Sequence, residues 1–117
     1  ILLVDDEAAI IKLGQRILER FGYHVTPRTG SVEALEAYKA NPGKYDLVLT
    51  DMTMPNMTGV QLVHEIRKLN NDIPVIICTG FSDKINEGNI EKLGIQGFVM
   101  KPIVISELLD EIRKVLD

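Results

Sequence analysis

The chain has 117 residues, 45% hydrophobic and 26% charged, with a formal net charge of −4. That length suits a single domain, and it can bury a core without disulfides or structural metal. Thirteen Lys and Arg against 17 Asp and Glu argue against broad binding to nucleic-acid phosphates, the lone Cys78 excludes an internal disulfide framework, and no apolar run reaches the ~18 residues of a membrane span.

Short apolar runs alternate with helical periodicity along the whole chain. Ile1 to Val4 reads as a buried strand that stops at three acids, Asp5, Asp6 and Glu7. A helix follows to about Phe21, with Ile10, Leu13, Ile17 and Phe21 on its apolar face and Gly22 as its stop. Tyr23 to Arg28 is a weaker strand, and Gly30-Ser31 starts a helix carrying Ala34, Leu35 and Tyr38 that ends at Asn41-Pro42-Gly43. Asp46 to Thr50 is a third strand delivering Asp51. The loop from Met52 to Thr58 leads into a helix from Gly59 to about Leu69, with Leu62, Val63 and Ile66 inward. Pro74 to Cys78 forms a fourth strand ending at Thr79-Gly80. A polar helix is expected over Ser82 to Leu93, weakened by Gly88. Gly97 to Met100 is the fifth strand, followed by Lys101-Pro102. A last helix runs from about Ser106 to Leu116, with Leu108, Leu109, Ile112, Val115 and Leu116 on one stripe.

Five βα units with near-continuous apolar strands predict an α/β fold with a parallel sheet covered on both faces. In a chain this short the expected arrangement is a single doubly wound (βα)5, flavodoxin-like domain of strand order 2-1-3-4-5. The carboxyl ends of the first and third strands then flank a crevice. The strands deliver Asp5 and Asp6, Asp51, Thr79 and Lys101 to that end of the sheet. Three carboxylates in one crevice repel one another unless one is protonated or a cation sits between them. Magnesium suits such a set, because it is a hard ion that takes a few carboxylates and completes its shell with water and phosphate oxygens. A lysine and a hydroxyl at the same place are suitable partners for the other oxygens of a phosphoryl group. A carboxylate there can act as a nucleophile and form an aspartyl phosphate. Each element alone is commonplace: acidic pairs end many strands, and Asp before a Pro-containing loop is a frequent turn former. Their joint placement at successive strand ends is what the bland reading does not predict.

The segments LVDDE (3–7), LTDMTMPNMTG (49–59), ICTG (77–80) and GFVMKP (97–102) together resemble the response regulator receiver domain of two-component signalling, over essentially the whole chain. The resemblance implies that Asp51 is the phosphoacceptor. It implies that Asp5, Asp6, Asp51 and the backbone carbonyl of Thr53 hold Mg2+. Thr79 would bind a phosphoryl oxygen and move toward it, Lys101 would neutralise phosphoryl charge, and the Lys101–Pro102 bond would be cis. Phe98 stands where the family places its switch aromatic, often tyrosine, and Gly80 replaces the small residue, often alanine, that commonly follows the threonine. The implied partner is a histidine kinase or phosphotransfer domain acting as phosphodonor. The implied output face is residues 82–116, which could also serve a homodimer, with no nucleic acid or membrane contact by this domain. The opening at Ile1 and the final IRKVLD suggest residues 1–117 of a longer chain, most like the C-terminal receiver of a hybrid sensor histidine kinase. A stand-alone regulator or the N-terminal half of a transcription factor is the alternative. The cysteine usage fits a reducing, cytoplasmic setting.

Other classes fit less well. A magnesium-dependent phosphatase like the haloacid dehalogenases needs a D-x-D motif and a cap, and the adjacent Asp5-Asp6 pair supplies neither. A flavin module needs a hydroxyl- and Gly-rich phosphate loop after the first strand, where this chain has acids. A degenerate receiver that binds partners without phosphorylation is disfavoured by the complete set of acids, threonine and lysine. His24 and His64 have no partner spacing for a metal. Cys78 reads as a buried small hydrophobe, and Met52, Met54 and Met57 as loop packing.

Overall fold

A computed structural model describes residues 1–79 and 94–116. Five strands, β1 (Leu2–Val4), β2 (Thr26–Arg28), β3 (Val48–Asp51), β4 (Val75–Thr79) and β5 (Gly97–Met100), form one parallel sheet of order β2-β1-β3-β4-β5. Four α-helices are described, α1 (Ala8–Arg20), α2 (Ser31–Ala40), α3 (Gly59–Leu69) and α4 (Ile105–Leu116), with a short 3-10 helix at Pro42–Lys44. The expected doubly wound order is the one observed. The helix expected over Ser82 to Leu93, with Gly80 and Gly88, lies outside the described residues. Among the described residues no helix is long and apolar enough to cross a membrane.

The period of 2 along each strand splits the core in two. Leu2, Val4, Val48, Val75 and Ile77 point to one face and pack with Ala34, Leu35 and Tyr38 of α2 and Leu62, Val63 and Ile66 of α3. Leu3, Leu49, Ile76, Cys78 and Val99 point to the other, against Ile11 and Leu18 of α1 and Leu108, Leu109 and Ile112 of α4. Truncating any of the fully buried leucines or isoleucines to alanine costs about 2–5 kcal/mol. The three central strands are buried on both faces, which is why their sequences lack polar alternation.

Two expectations need correction. The inward face of α1 is centred on Ile11 and Leu18, with Ile10 and Ile17 at its margin, whereas Leu13 is 60% exposed and Phe21 50% exposed beyond the helix end. Gly14 lies on this side of the helix too: a Cβ there would come within 3.2 Å of Leu3 Cδ2. The second strand is also shorter than Tyr23 to Arg28. It pairs only with the three residues of β1, and Tyr23 N–H instead bonds Leu18 O as the chain leaves α1 through Gly22 at φ +91°. Pro27, which has no N–H to donate, is tolerated because β2 is an edge strand.

The helix α3 begins at a capping box. Thr58 Oγ1 accepts from Gln61 N–H at 3.2 Å, and Gln61 Oε1 accepts from Thr58 N–H at 2.9 Å. At its other end Arg67 donates to Ile73 O at 2.5 Å, Gly94 O at 2.9 Å and Gln96 Oε1 at 3.4 Å. Gln96 Oε1 also accepts from Val75 N–H at 2.8 Å, so this one guanidinium ties α3 to the starts of β4 and β5.

Candidate functional site

The ends of β1, β3, β4 and β5 come together at the carboxyl edge of the sheet. The β1–β3 register sets Val4 beside Thr50, so Asp5 and Asp51 follow side by side. The β3–β4 and β4–β5 registers set Asp51 beside Cys78 and Thr79 beside Met100. Lys101 N–H then donates to Thr79 O at 2.7 Å, so the lysine turns back over the acids.

Asp5 and Asp51 are buried, at 3% and 4% exposure, and Asp6 is open to solvent. One carboxylate oxygen from each of Asp5, Asp6 and Asp51 lies within 4.8 Å of the others. Lys101 Nζ is 2.8 Å from Asp51 Oδ1 and 3.4 Å from Asp5 Oδ2. Asp5 Oδ1 accepts a further bond from Glu7 N–H at 3.0 Å. Burial is the largest influence on Asp5 and, with repulsion from Asp51, holds its carboxyl above the usual range even though Glu7 N–H and Lys101 pull it down. Burial acts on Lys101 in the opposite sense, lowering it. The hydrogen bond to Asp51 and the charges of Asp5 and Asp51 outweigh that and hold the ammonium above its ordinary value.

Local backbone chemistry explains the presentation of Asp51. Gly59 N–H donates to Met52 O at 2.8 Å, folding the 52–58 loop under the strand end. A Cβ on Gly59 would meet the Asp51 carbonyl oxygen at 2.3 Å, so that position admits glycine alone without a shift of backbone. Asn56 carries the loop through φ 71°, a left-handed conformation that Asn tolerates better than most residues. Met52, Met54 and Met57 pack against the core beneath this loop. Thr53 is exposed, two residues beyond Asp51.

The remaining site candidates divide. Thr79 is buried beside the cluster, and its hydroxyl donates to Met100 Sδ at 3.3 Å. Phe98 is half-buried against the α2–α3 side of the core. The Lys101–Pro102 peptide is cis. His24 and His64 are exposed and away from the cluster, and burial pushes the Cys78 thiol up to about 12. The Thr79–Met100 contact and the Arg67 bonds were not legible beforehand, because each depends on strand register or on a loop closing from far along the chain.

The donor set fits a hard divalent cation. It consists of carboxylate oxygens, it is partly buried, and the single cation among these side chains leaves Asp5 short of compensation. Asp5, Asp6 and Asp51 are the residues that could hold such an ion, and Lys101 stands beside Asp5 and Asp51.

Residues 1–113 match the family model of the response regulator receiver domain. The sensor kinase CckA of Brucella abortus is 34% identical over 117 residues, which is all of this chain and 12% of that protein, so the chain spans a small part of that relative. The chemotaxis protein CheY of Thermotoga maritima is 32% identical over 98% of this chain and 95% of its own length. The crystal structure of a response regulator receiver domain protein from Clostridium thermocellum superposes with a TM-score of 0.92 at 32% identity, covering 98% of this chain and 91% of that one. With the sheet order and the strand-end cluster of acids and lysine, these likenesses establish that the chain belongs to the response regulator receiver domain family of two-component phosphorelay signalling.

Proposed function

We propose that this receiver is switched by a phosphoryl group on Asp51. The observation that carries the reading is the pairing of Lys101 Nζ with Asp51 Oδ1 at 2.8 Å inside a cluster of three carboxylates. An Asp51 oxygen attacks the phosphorus of a phosphohistidine on a histidine kinase or phosphotransfer domain. A P–O bond forms, the P–N bond breaks, and its electron pair stays with the imidazole nitrogen. Lys101 offsets the negative charge that gathers at Asp51, and the Thr79 hydroxyl donates to a phosphoryl oxygen. Asp5, Asp6, Asp51 and the Thr53 carbonyl hold Mg2+, which when bound supplies positive charge against both the acids and the phosphoryl oxygens. Phe98, on the strand between Thr79 and Lys101, turns inward as Thr79 moves.

Phosphoryl capture draws on the chain after β4 and after β5, so the output face is placed in residues 82–116. Part of that range, 82–93, lies outside the described residues, and a homodimer through it rests on the same assignment. For the parent protein we favour a hybrid sensor histidine kinase, supported by a sensor kinase that matches over the whole chain. The single-domain chemotaxis relative supports a stand-alone regulator as the second reading.

Intact mass after incubation with acetyl phosphate tests the proposal, with and without magnesium, for the wild type and Asp51→Asn. One phosphoryl group should appear on the wild type only with the metal and should be absent from the variant. Equal phosphorylation of Asp51→Asn would assign the nucleophile elsewhere.

A further inference from the structure

The strand end that carries Lys101 also carries a side chain that the chemistry above does not use. Met100 closes β5 directly across from Thr79 and is 48% exposed. Its thioether sulfur, 3.3 Å away, accepts the Thr79 hydroxyl. Sulfur is a weak acceptor, so the hydroxyl gives up little when it turns to a phosphoryl oxygen.

Oxidation would change that acceptor. The sulfur lone pair attacks an oxygen of hydrogen peroxide, an S–O bond forms, the O–O bond breaks, and the departing hydroxide takes the proton from the new S–OH group to become water. Sulfur loses two electrons and the peroxide gains them. The product is a sulfoxide, whose oxygen is a strong acceptor carried on the sulfur that meets the Thr79 hydroxyl. Exposure selects the position. Of the four methionines in the chain, Met54 is 6% exposed, Met52 and Met57 are packed against the core, and Met100 alone stands open.

We propose that Met100 is a regulatory oxidation site, whose sulfoxide holds the Thr79 hydroxyl and withholds it from the phosphoryl group. The inference rests on the assignment of Thr79 to the phosphoryl group. It predicts a receiver that responds to its kinase less readily under peroxide stress and recovers when a methionine sulfoxide reductase removes the oxygen.

The test treats the chain with hydrogen peroxide and maps oxidised peptides by mass. It then follows phosphorylation by acetyl phosphate and magnesium for untreated, oxidised and reductase-restored protein, beside Met100→Leu and Thr79→Ala. Met100 should gain about 16 Da before the other three methionines. The oxidised wild type should accept the phosphoryl group ~3–10-fold more slowly, the span of one hydrogen bond. Reductase should restore the rate, and peroxide should leave the rate of Met100→Leu where it was. The proposal is overturned if Met100 oxidises no faster than Met54, or if peroxide slows Met100→Leu as much as wild type. A rate for the oxidised wild type unchanged within about twofold, while Thr79→Ala is slow, refutes the sulfoxide effect alone. Wild-type speed in Thr79→Ala removes the role of Thr79 and the inference with it.

Discussion

Replacing Lys101 by alanine tests the electrostatics of the resting site in the absence of any phosphoryl group. The side chains of Asp5 and Asp51 are 5% and 6% exposed, and that of Lys101 is 25% exposed. Removing one partner of a fully buried pair costs about 3–5 kcal/mol, because the other charge is stranded. A quarter of Lys101 reaches solvent, so screening reduces this, and the expected loss is ~1.5–3 kcal/mol near neutral pH. The loss should depend on pH, with a sign fixed by two groups. Burial already raises Asp5, and removing Lys101 takes away one of the influences that lower it. A carboxyl whose folded pKa is raised favours the fold fully below its unfolded value of 3.8, and that contribution is lost as pH rises through the folded value. The gap between wild type and variant should therefore be small near pH 4 and widen above it. Lys101 is itself raised above 10.5 by the ionised acids, so once they are charged its contribution is full up to that pH and is lost as pH rises through its folded value, closing the gap again. Urea denaturation at a series of pH values without divalent cation reads the gap directly, and millimolar magnesium should narrow it by replacing the missing charge. A gap that stays flat from pH 4 to neutrality, or that magnesium leaves alone, refutes the account of Lys101 as the counter-charge of two buried acids.

Gly59→Ala should destabilise the fold by more than about 2 kcal/mol and slow phosphorylation of Asp51, since the new Cβ meets backbone rather than a movable side chain; thermal melts and intact mass measure the two effects. Arg67→Met keeps the stem but loses the bonds to Ile73, Gly94 and Gln96. It should cost ~2–3 kcal/mol, with faster amide exchange at Val75 and Gln96 as its local signature. Cys78, 5% exposed with its thiol pushed up to about 12, should resist a disulfide reagent at pH 8 in the native protein and react promptly in urea. Prompt native labelling would show that β4 opens far more readily than its packing implies.

How much of this was legible in the sequence follows from the range of each interaction. The three central strands were legible because both of their faces are buried, which leaves runs such as DLVLT and PVIIC without polar alternation. The convergence of Asp5, Asp6, Asp51 and Lys101 was legible because a parallel sheet puts every strand's carboxyl end on one edge. The inward face of α1 was misjudged because Ile10, Ile11, Leu13, Ile17 and Leu18 spread over nearly half of the helix, about 160° at 3.6 residues per turn. Packing against the sheet and the last helix, which a single helix's sequence does not carry, chooses Ile11 and Leu18 among them. The Arg67 bonds were invisible because their acceptors are backbone carbonyls and an amide brought in by chain closure, and a carbonyl carries no sequence signal.

The same reasoning explains why the site is legible while its control is not. Charge balance is decided by residue type: Asp5, Asp6, Asp51 and Lys101 declare themselves as acids and a base wherever they stand. The mobility of Thr79 depends on what its hydroxyl touches before it moves, and that partner is Met100, an apolar residue to any reading of the sequence. Its backbone is fixed as well, since Thr79 O accepts Lys101 N–H at 2.7 Å, so hydroxyl and ammonium are presented from one hydrogen-bonded pair of strand ends. The displacement of Thr79 that we propose would therefore bear on Lys101 through that backbone bond and on Met100 through the sulfur. On the proposed reading, the strength of that second contact would set how readily Thr79 moves, without altering Asp51 or Lys101.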